Sequence, residues 1–82
     1  MARYMEEVQK MNRYAISDNI LIYLKKFGMM QKELAEKIGV NEVTMSKWMS
    51  GVRPPSLFAV YIIAKALNCT VDDLVKGLDN CE

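Results

Sequence analysis

The stretch from Gln31 to Gly51, QKELAEKIGVNEVTMSKWMSG, constrains the fold of this chain more than any other. It holds two short apolar patterns of helical spacing, joined by a turn at Gly39, and the second runs out at Gly51. In the first, Leu34, Ala35 and Ile38 fall on one helical face. In the second, Asn41 offers a capping side chain, and Met45, Trp48, Met49 and Val52 share a face. With that face turned inward, Val43, Lys47 and Ser50 point outward, flanked by Glu42, Thr44 and Ser46. Ala35 is small where a second helix has to cross the first closely. Trp48 belongs to the inner face, so it reads as a packing residue rather than a stacking one.

The rest of the chain reads as helix as well. A first helix is expected from Ser17 or Asp18, either of which can cap it, to Phe27, with Ile20, Tyr23, Leu24 and Phe27 as its core stripe and Gly28 as its stop. Helices over Gln31–Ile38 and Glu42–Met49 follow. Val52-Arg53-Pro54-Pro55 is a loop, because neither proline can sit inside a helix here, and Ser56 then caps a fourth helix over Leu57–Leu67. Leu57, Val60, Tyr61 and Ala64 are its expected inner face. Thr70 caps a short fifth helix over Val71–Lys76, stopped by Gly77. No strand pattern and no internal repeat appears, so the expected fold is all-α with five helices. Residues 1–15 form an extension to the domain at 16–82; Tyr4, Val8 and Met11 allow an amphipathic helix there, and a frayed arm is the alternative.

Eighty-two residues make one small domain with a thin core. The longest apolar run, Ser56 to Leu67, is short and broken by Lys65, so no membrane span is expected. Met1 to Lys10 carries two glutamates and no apolar leader segment. Cys69 and Cys81 have no CxxC spacing and no histidine to share a metal with, which reads as reduced thiols in the cytoplasm, with no metal and no cofactor. The net charge of +1 conceals an asymmetry. Residues 1–65 hold ten Lys/Arg against six Asp/Glu, whereas residues 66–82 hold one against four. A basic body with an acidic tail leaves a local basic face for phosphate.

Two short helices joined by a glycine turn, the second carrying exposed polar side chains, are the parts of a helix-turn-helix, whose second helix enters the major groove. From about Ile16 to Val75, roughly three quarters of the chain, the sequence resembles the DNA-binding domain of Cro/cI-type repressors, the XRE-type family. The matching residues are Gln31, Leu34, Ala35, Gly39, Val40, Met45, Ser46, Trp48, Gly51, Pro55-Ser56, Ala64, Leu67 and Val71 to Leu74. The resemblance implies a lambda-repressor-like five-helix domain that binds double-stranded DNA as a transcriptional regulator, a repressor in the first instance.

Carried over position by position, the resemblance places Glu42, Val43, Thr44 and Lys47 as base readers. Their chemistry suits the role. Lys47 donates to guanine, Val43 offers a methyl contact to thymine, and Glu42 accepts from a cytosine amino group. Gln31 takes the phosphate position at the start of the second helix, where free backbone N–H groups and the positive dipole end meet an anion. Asn41, Ser46 and Arg53 are placed for backbone contacts, and Lys26 and Lys32 are further phosphate candidates. The chain departs from the family in three places. Met30 stands where a capping Ser or Thr is usual, which predicts a frayed helix start. Leu24 and Met49 stand where many members have an Arg–Glu pair, so an apolar contact is expected in its place. Phe58 and Ile62 are apolar where the family is usually polar, and that second face calls for a cover.

Catalysis is disfavoured: there is no histidine, no metal-spaced cysteine pair and no glycine-rich phosphate loop. The serious rival is a protein-interaction role on the same fold, as an antitoxin that neutralises a toxin or as an accessory factor. A homodimer on a (pseudo)palindromic operator is expected, because one reading helix touches too few base pairs for specificity. Leu74, Val75 and Leu78 offer apolar material for it, and Phe58 with Ile62 offers a second patch.

Overall fold

The structure, a computed structural model, describes residues 14–77, all of whose regular elements are α-helices. Five helices follow in order: α1 Ala15–Phe27, α2 Gln31–Ile38, α3 Glu42–Met49, α4 Leu57–Ala66 and α5 Val71–Val75. They close a ring of contacts, with α1 on α5, α5 on α4, α4 on α2, α2 on α3 and α3 back on α1. Inside the ring, Ile20, Leu24, Leu34, Ala35, Met45, Trp48, Val60, Ile63, Ala64, Leu67 and Leu74 form one buried cluster. Every helix contributes to it, so no helix has a core of its own. The extension expected at residues 1–15, including Tyr4, Val8 and Met11, lies outside the described residues save for its last two.

Local signals set most of the boundaries. Asn41 Oδ1 accepts from the Thr44 N–H at 2.8 Å, and Ser56 Oγ accepts from the Ala59 N–H at 3.1 Å. Thr70 and Asp73 form a reciprocal capping box on α5. Three helix ends share one device. Gly28, Gly39 and Asn68 take left-handed backbone, and the next residues, Met29, Val40 and Cys69, each donate back to a carbonyl five positions earlier, those of Leu24, Ala35 and Ala64. Met29, Val40 and Cys69 then pack against the core, which ties each turn to the hydrophobic interior.

The differences from the sequence reading have identifiable causes. Helix α1 begins at Ala15, before Ser17 and Asp18. Ser17 is buried inside the first turn, where its hydroxyl donates to the Tyr14 carbonyl at 3.0 Å instead of capping. Phe27, the last residue of α1, is half in solvent. Val52 is exposed in the loop, because α3 stops at Met49 and the helical spacing no longer applies. Helix α4 ends at Ala66, with Leu67 as its cap, and α5 ends at Val75, since Lys76 turns to extended backbone. The inner face of α4 is Val60, Ile63, Ala64 and Leu67, not the face that begins with Leu57; Leu57 and Tyr61 stand in solvent. Leu74, expected to serve self-association, is fully buried and therefore a core residue. Val75 is half-buried against that core, and Leu78 lies outside the described residues.

One tie between chain ends has no counterpart in the sequence patterns. Asn19, buried within α1, donates its amide to the carbonyls of Leu74 at 2.8 Å and Lys76 at 2.9 Å. The last turn of α5 leaves carbonyls without helical partners, and Asn19 satisfies that of Leu74 together with that of Lys76 just beyond the helix. This staples the C-terminal helix to the first one.

Candidate nucleic-acid interface

Helix α3 presents two different faces. Met45 is fully buried, Trp48 nearly so, and Met49 packs half-buried against the core. These side chains lock the rotation of the helix. Opposite them, Glu42, Val43, Ser46, Lys47 and Ser50 are exposed, while Thr44 is half-buried. The Asn41 cap fixes where the helix starts, and it uses only the carbonyl oxygen of that side chain. The amide NH2 is left to donate outward.

The first half of helix α2 adjoins this face. Gln31, Lys32, Ala35, Glu42, Met45 and Ser46 line one open cleft of about 350 Å³. The N-terminus of α2 therefore opens onto the N-terminal half of α3, with buried Ala35 as the small residue between them. The backbone N–H groups of the first turn of α2 have no helical acceptors, so an anion in this cleft meets donors and the positive end of the helix dipole. The start of α2 is better held than Met30 suggests. No side-chain cap hydrogen bond forms at Met30, but Glu33 Oε1 accepts the Met30 N–H at 3.0 Å. Gln31 is half-buried at the first helical position, and Lys32 stands exposed beside it.

The loop after α3 supplies the next cation. The Arg53 N–H donates to the Lys47 carbonyl at 3.2 Å, which ties the loop to the last turn of α3 while the Arg53 side chain stays exposed. Ser50 Oγ donates to the same carbonyl at 3.3 Å. Gly51 makes the bend between them for two reasons. Its φ of +79° lies in the left-handed region that favours glycine, and a methyl added there would stand 2.5 Å from Cε1 and 2.8 Å from Cδ1 of Tyr14. The Tyr14 ring thus lies on the turn that follows the exposed helix. A glycine at the end of a helix is visible in the sequence; that a tyrosine 37 positions earlier rests on it is not.

Not every residue expected in the site is gathered here. Lys26 sits on α1 with its ammonium 5.8 Å from the ring centroid of Tyr23 and 5.9 Å from that of Phe27. Phe27 in turn lines a separate groove with Met29, Lys37, Ala66, Leu67 and Asn68. The ionisable groups with displaced affinities also lie elsewhere, between α1 and α5. Backbone and side-chain hydrogen bonds from Thr70 hold the Asp73 carboxyl below the usual carboxylate range, and the Tyr23 hydroxyl adds a further bond. Burial, then the Asp73 charge, pushes both the Tyr23 phenol and the Cys69 thiol up. That cluster steadies α5 and takes no part in the exposed face of α3.

Comparison with known proteins agrees with this geometry. A family model described as helix-turn-helix matches residues 20–74. An uncharacterised HTH-type transcriptional regulator of Archaeoglobus fulgidus is 43% identical over 49 residues, covering 60% of this chain and 70% of that protein. Repressor protein C2 of Salmonella phage P22 is 31% identical over 67 residues, covering 82% of this chain but only 31% of the repressor. Among solved structures, the clp gene regulator ClgR from Corynebacterium glutamicum superimposes with a TM-score of 0.74 at 22% identity, over 83% of this chain and 72% of that one. The last likeness bears on the fold, and the family match bears on descent. With an all-helical fold and a helix-turn-helix at Gln31–Met49, the chain belongs to the XRE-type, or Cro/cI-type, family of helix-turn-helix DNA-binding transcriptional regulators.

Proposed function

We propose that this protein binds a specific double-stranded operator through the exposed face of α3 in the major groove and represses transcription there. One observation carries the reading: α3 is locked by Met45 and Trp48 on one side while Glu42, Val43, Ser46 and Lys47 stand exposed on the other, beside the α2 N-terminus. Lys47 and Val43 supply a donor and a methyl contact for base edges, and Glu42 accepts from cytosine or repels the wrong site. Thr44, half-buried, has a smaller share. Gln31, Lys32, Asn41, Ser46 and Arg53 hold the phosphates on either side, and Lys26 belongs to the periphery. Repression needs only occupancy of a promoter by such a domain. Two copies on a (pseudo)palindromic site, about 34 Å apart along the duplex, double the readout. Such a protein works in the cytoplasm.

The test separates reading from anchoring. Sites are selected from random duplexes, and binding is then measured on the selected and on scrambled DNA across salt concentrations. Lys47→Ala is expected to relax preference at one base position by about 1–3 kcal/mol. Gln31→Ala and Arg53→Ala should weaken all sequences alike and lower the salt slope. Equal losses on selected and scrambled DNA for all three variants would refute the division of roles. A wild-type chain with no preference for any duplex, yet retained by a small partner protein, would favour the antitoxin or accessory role instead.

A further inference from the structure

Gly39 and Gly51 share one backbone conformation, φ +79°, but differ in what faces them. A methyl added at Gly39 would meet nothing within 4 Å, whereas one at Gly51 would meet the Tyr14 ring at 2.5 Å. The turn after α2 needs glycine for its backbone alone; the turn after α3 needs it for the ring as well. Tyr14 is 43% exposed and stands outside the buried cluster to which all five helices contribute, so its ring is not there to fill the core. We infer that Tyr14 is the positioning residue for the Arg53 loop: its ring buttresses the Gly51 turn and thereby sets where Arg53 stands beside the exposed face of α3. The inference rests on the phosphate role proposed for Arg53 and deepens it by naming what holds that residue in place.

Three observations carry it. The first is how differently this turn is held from its counterparts. After Gly28, Gly39 and Asn68, the next residues Met29, Val40 and Cys69 pack on the core and donate back at 2.9, 3.0 and 2.9 Å. After Gly51 comes Val52, which is 76% exposed and ties nothing to the interior. The hydrophobic contact that usually accompanies such a helix end is missing from the turn's own sequence, and the Tyr14 ring takes its place. The second is the weakness of the local bonds. The Gly51 N–H reaches the Trp48 carbonyl at 3.4 Å, and the Arg53 N–H and the Ser50 hydroxyl share the Lys47 carbonyl at 3.2 and 3.3 Å. All three distances lie at or beyond the long end for their type, so the turn depends on an outside support. The third is the footing of the tyrosine itself. Its carbonyl accepts from the Asp18 N–H at 2.8 Å and the Ser17 hydroxyl at 3.0 Å, which fixes its backbone to the first turn of α1. A rooted tyrosine has two rotatable side-chain angles left, so holding its ring on the turn costs little entropy. Because Arg53 is bonded to Lys47, a shift of the turn moves the phosphate anchor and loosens the last turn of α3 together.

The experiment follows the turn and the DNA separately, in the full 82-residue chain. Amide hydrogen exchange without DNA reads the turn. Tyr14→Ala is expected to speed exchange at the Gly51 and Arg53 N–H groups about 10-fold relative to the core amide of Ile63, and Tyr14→Phe, which keeps the ring, to restore wild-type rates. Urea melts read the contact itself: the loss caused by Gly51→Ala should shrink in a chain that carries Tyr14→Ala, while the loss caused by Gly39→Ala should not. On duplex DNA, Tyr14→Ala should weaken binding about 3- to 10-fold on selected and scrambled sequences alike, and cost nothing further once Arg53→Ala is present. Equal losses from Tyr14→Phe and Tyr14→Ala would overturn the inference, since the hydroxyl and not the ring would then be acting. Additive losses with Arg53→Ala would overturn it too, as would unchanged exchange at Gly51 and Arg53 in Tyr14→Ala. The DNA reading fails separately: a wild type that binds no duplex, while Tyr14→Ala still frees the turn, would remove the operator and leave the buttress standing.

Discussion

Helices α3 and α4 are built alike at their starts and opposite on their outsides. Each is opened by a side-chain oxygen bonded three residues ahead, Asn41 to Thr44 and Ser56 to Ala59, and each buries a narrow stripe in the common core. On α3 the residues left outside are polar apart from Val43; on α4 they are Leu57, Phe58, Tyr61 and Ile62, with Lys65 as the single charge. Amphipathicity therefore assigns the buried face of α3 from its own residues. It cannot do so for α4, where nearly every position is apolar and the neighbours α2 and α5 decide which side is covered. An apolar residue marks a face as able to be buried, and only the packing tells whether it is.

The sharpest way to break this contrast is to charge the inside. Leu24 is buried and Met49 half-buried against the same core. Leu24→Arg is expected to destabilise the fold by about 3–5 kcal/mol through an unpaired buried charge, whereas Met49→Glu, which can lean into water, should cost less. Leu24→Arg together with Met49→Glu should recover part of the loss. Urea titrations of the three variants read this directly, and strictly additive losses would mean that the two side chains do not meet.

Next in size is the difference between the two sides of α4. Ile63→Ala, at a fully buried position, should cost about 2–5 kcal/mol, and Leu57→Ala, on the open side, within about 0.5 kcal/mol. The melts are run dilute, so that self-association does not enter. Comparable losses at the two sites would mean that Leu57 is covered in the monomer.

Removing the caps tests whether the two starts are equivalent. Asn41→Ala and Ser56→Ala each remove one hydrogen-bond acceptor at an exposed helix start, and each should cost about 1 kcal/mol in a thermal or urea melt. The effects should diverge on DNA if α3 reads bases as proposed, since only Asn41 opens that helix. Equal DNA binding by the two variants would argue that the α3 start contributes stability alone.

The smallest effect expected is with pH, at α5. The Asp73 carboxyl is held below its ordinary range mainly by Thr70, so its ionised form is favoured in the folded chain. That contribution is present above the unfolded carboxylate value, about 4, and is lost as the pH falls through the lower folded value. Asp73→Asn should therefore narrow the stability gap between neutral and strongly acidic solution. An unchanged gap in that variant would show that Asp73 does not steady α5.

Much of this architecture was legible in the residues. The bounds of α2 and α3 follow from Gly28, Gly39, Asn41 and the Leu34–Ile38 and Met45–Met49 spacings, because caps and glycine turns act within four or five residues of themselves. The outward direction of Val43, Lys47 and Ser50 follows from the same periodicity. The start of α1 is not legible for a related reason: Ser17 has the chemistry of a cap, and only the depth of its burial shows that its hydroxyl bonds backward. The meeting of Gln31 and Lys32 with Glu42 and Ser46 in one cleft depends on how α2 crosses α3, which Ala35 permits and the core enforces.

What the sequence determined by itself is the set of helices, the turn between α2 and α3, and the polar face of α3, since these rest on short-range hydrogen bonding and a clear contrast between apolar and polar positions. What the tertiary structure alone decided is which side of α4 faces the core, that Leu74 is interior, that Asn19 staples α1 to α5, and that Tyr14 rests on Gly51. Each of these joins residues distant along the chain or chooses between chemically similar faces. The choice is made by the space the other helices leave, and no local pattern records it.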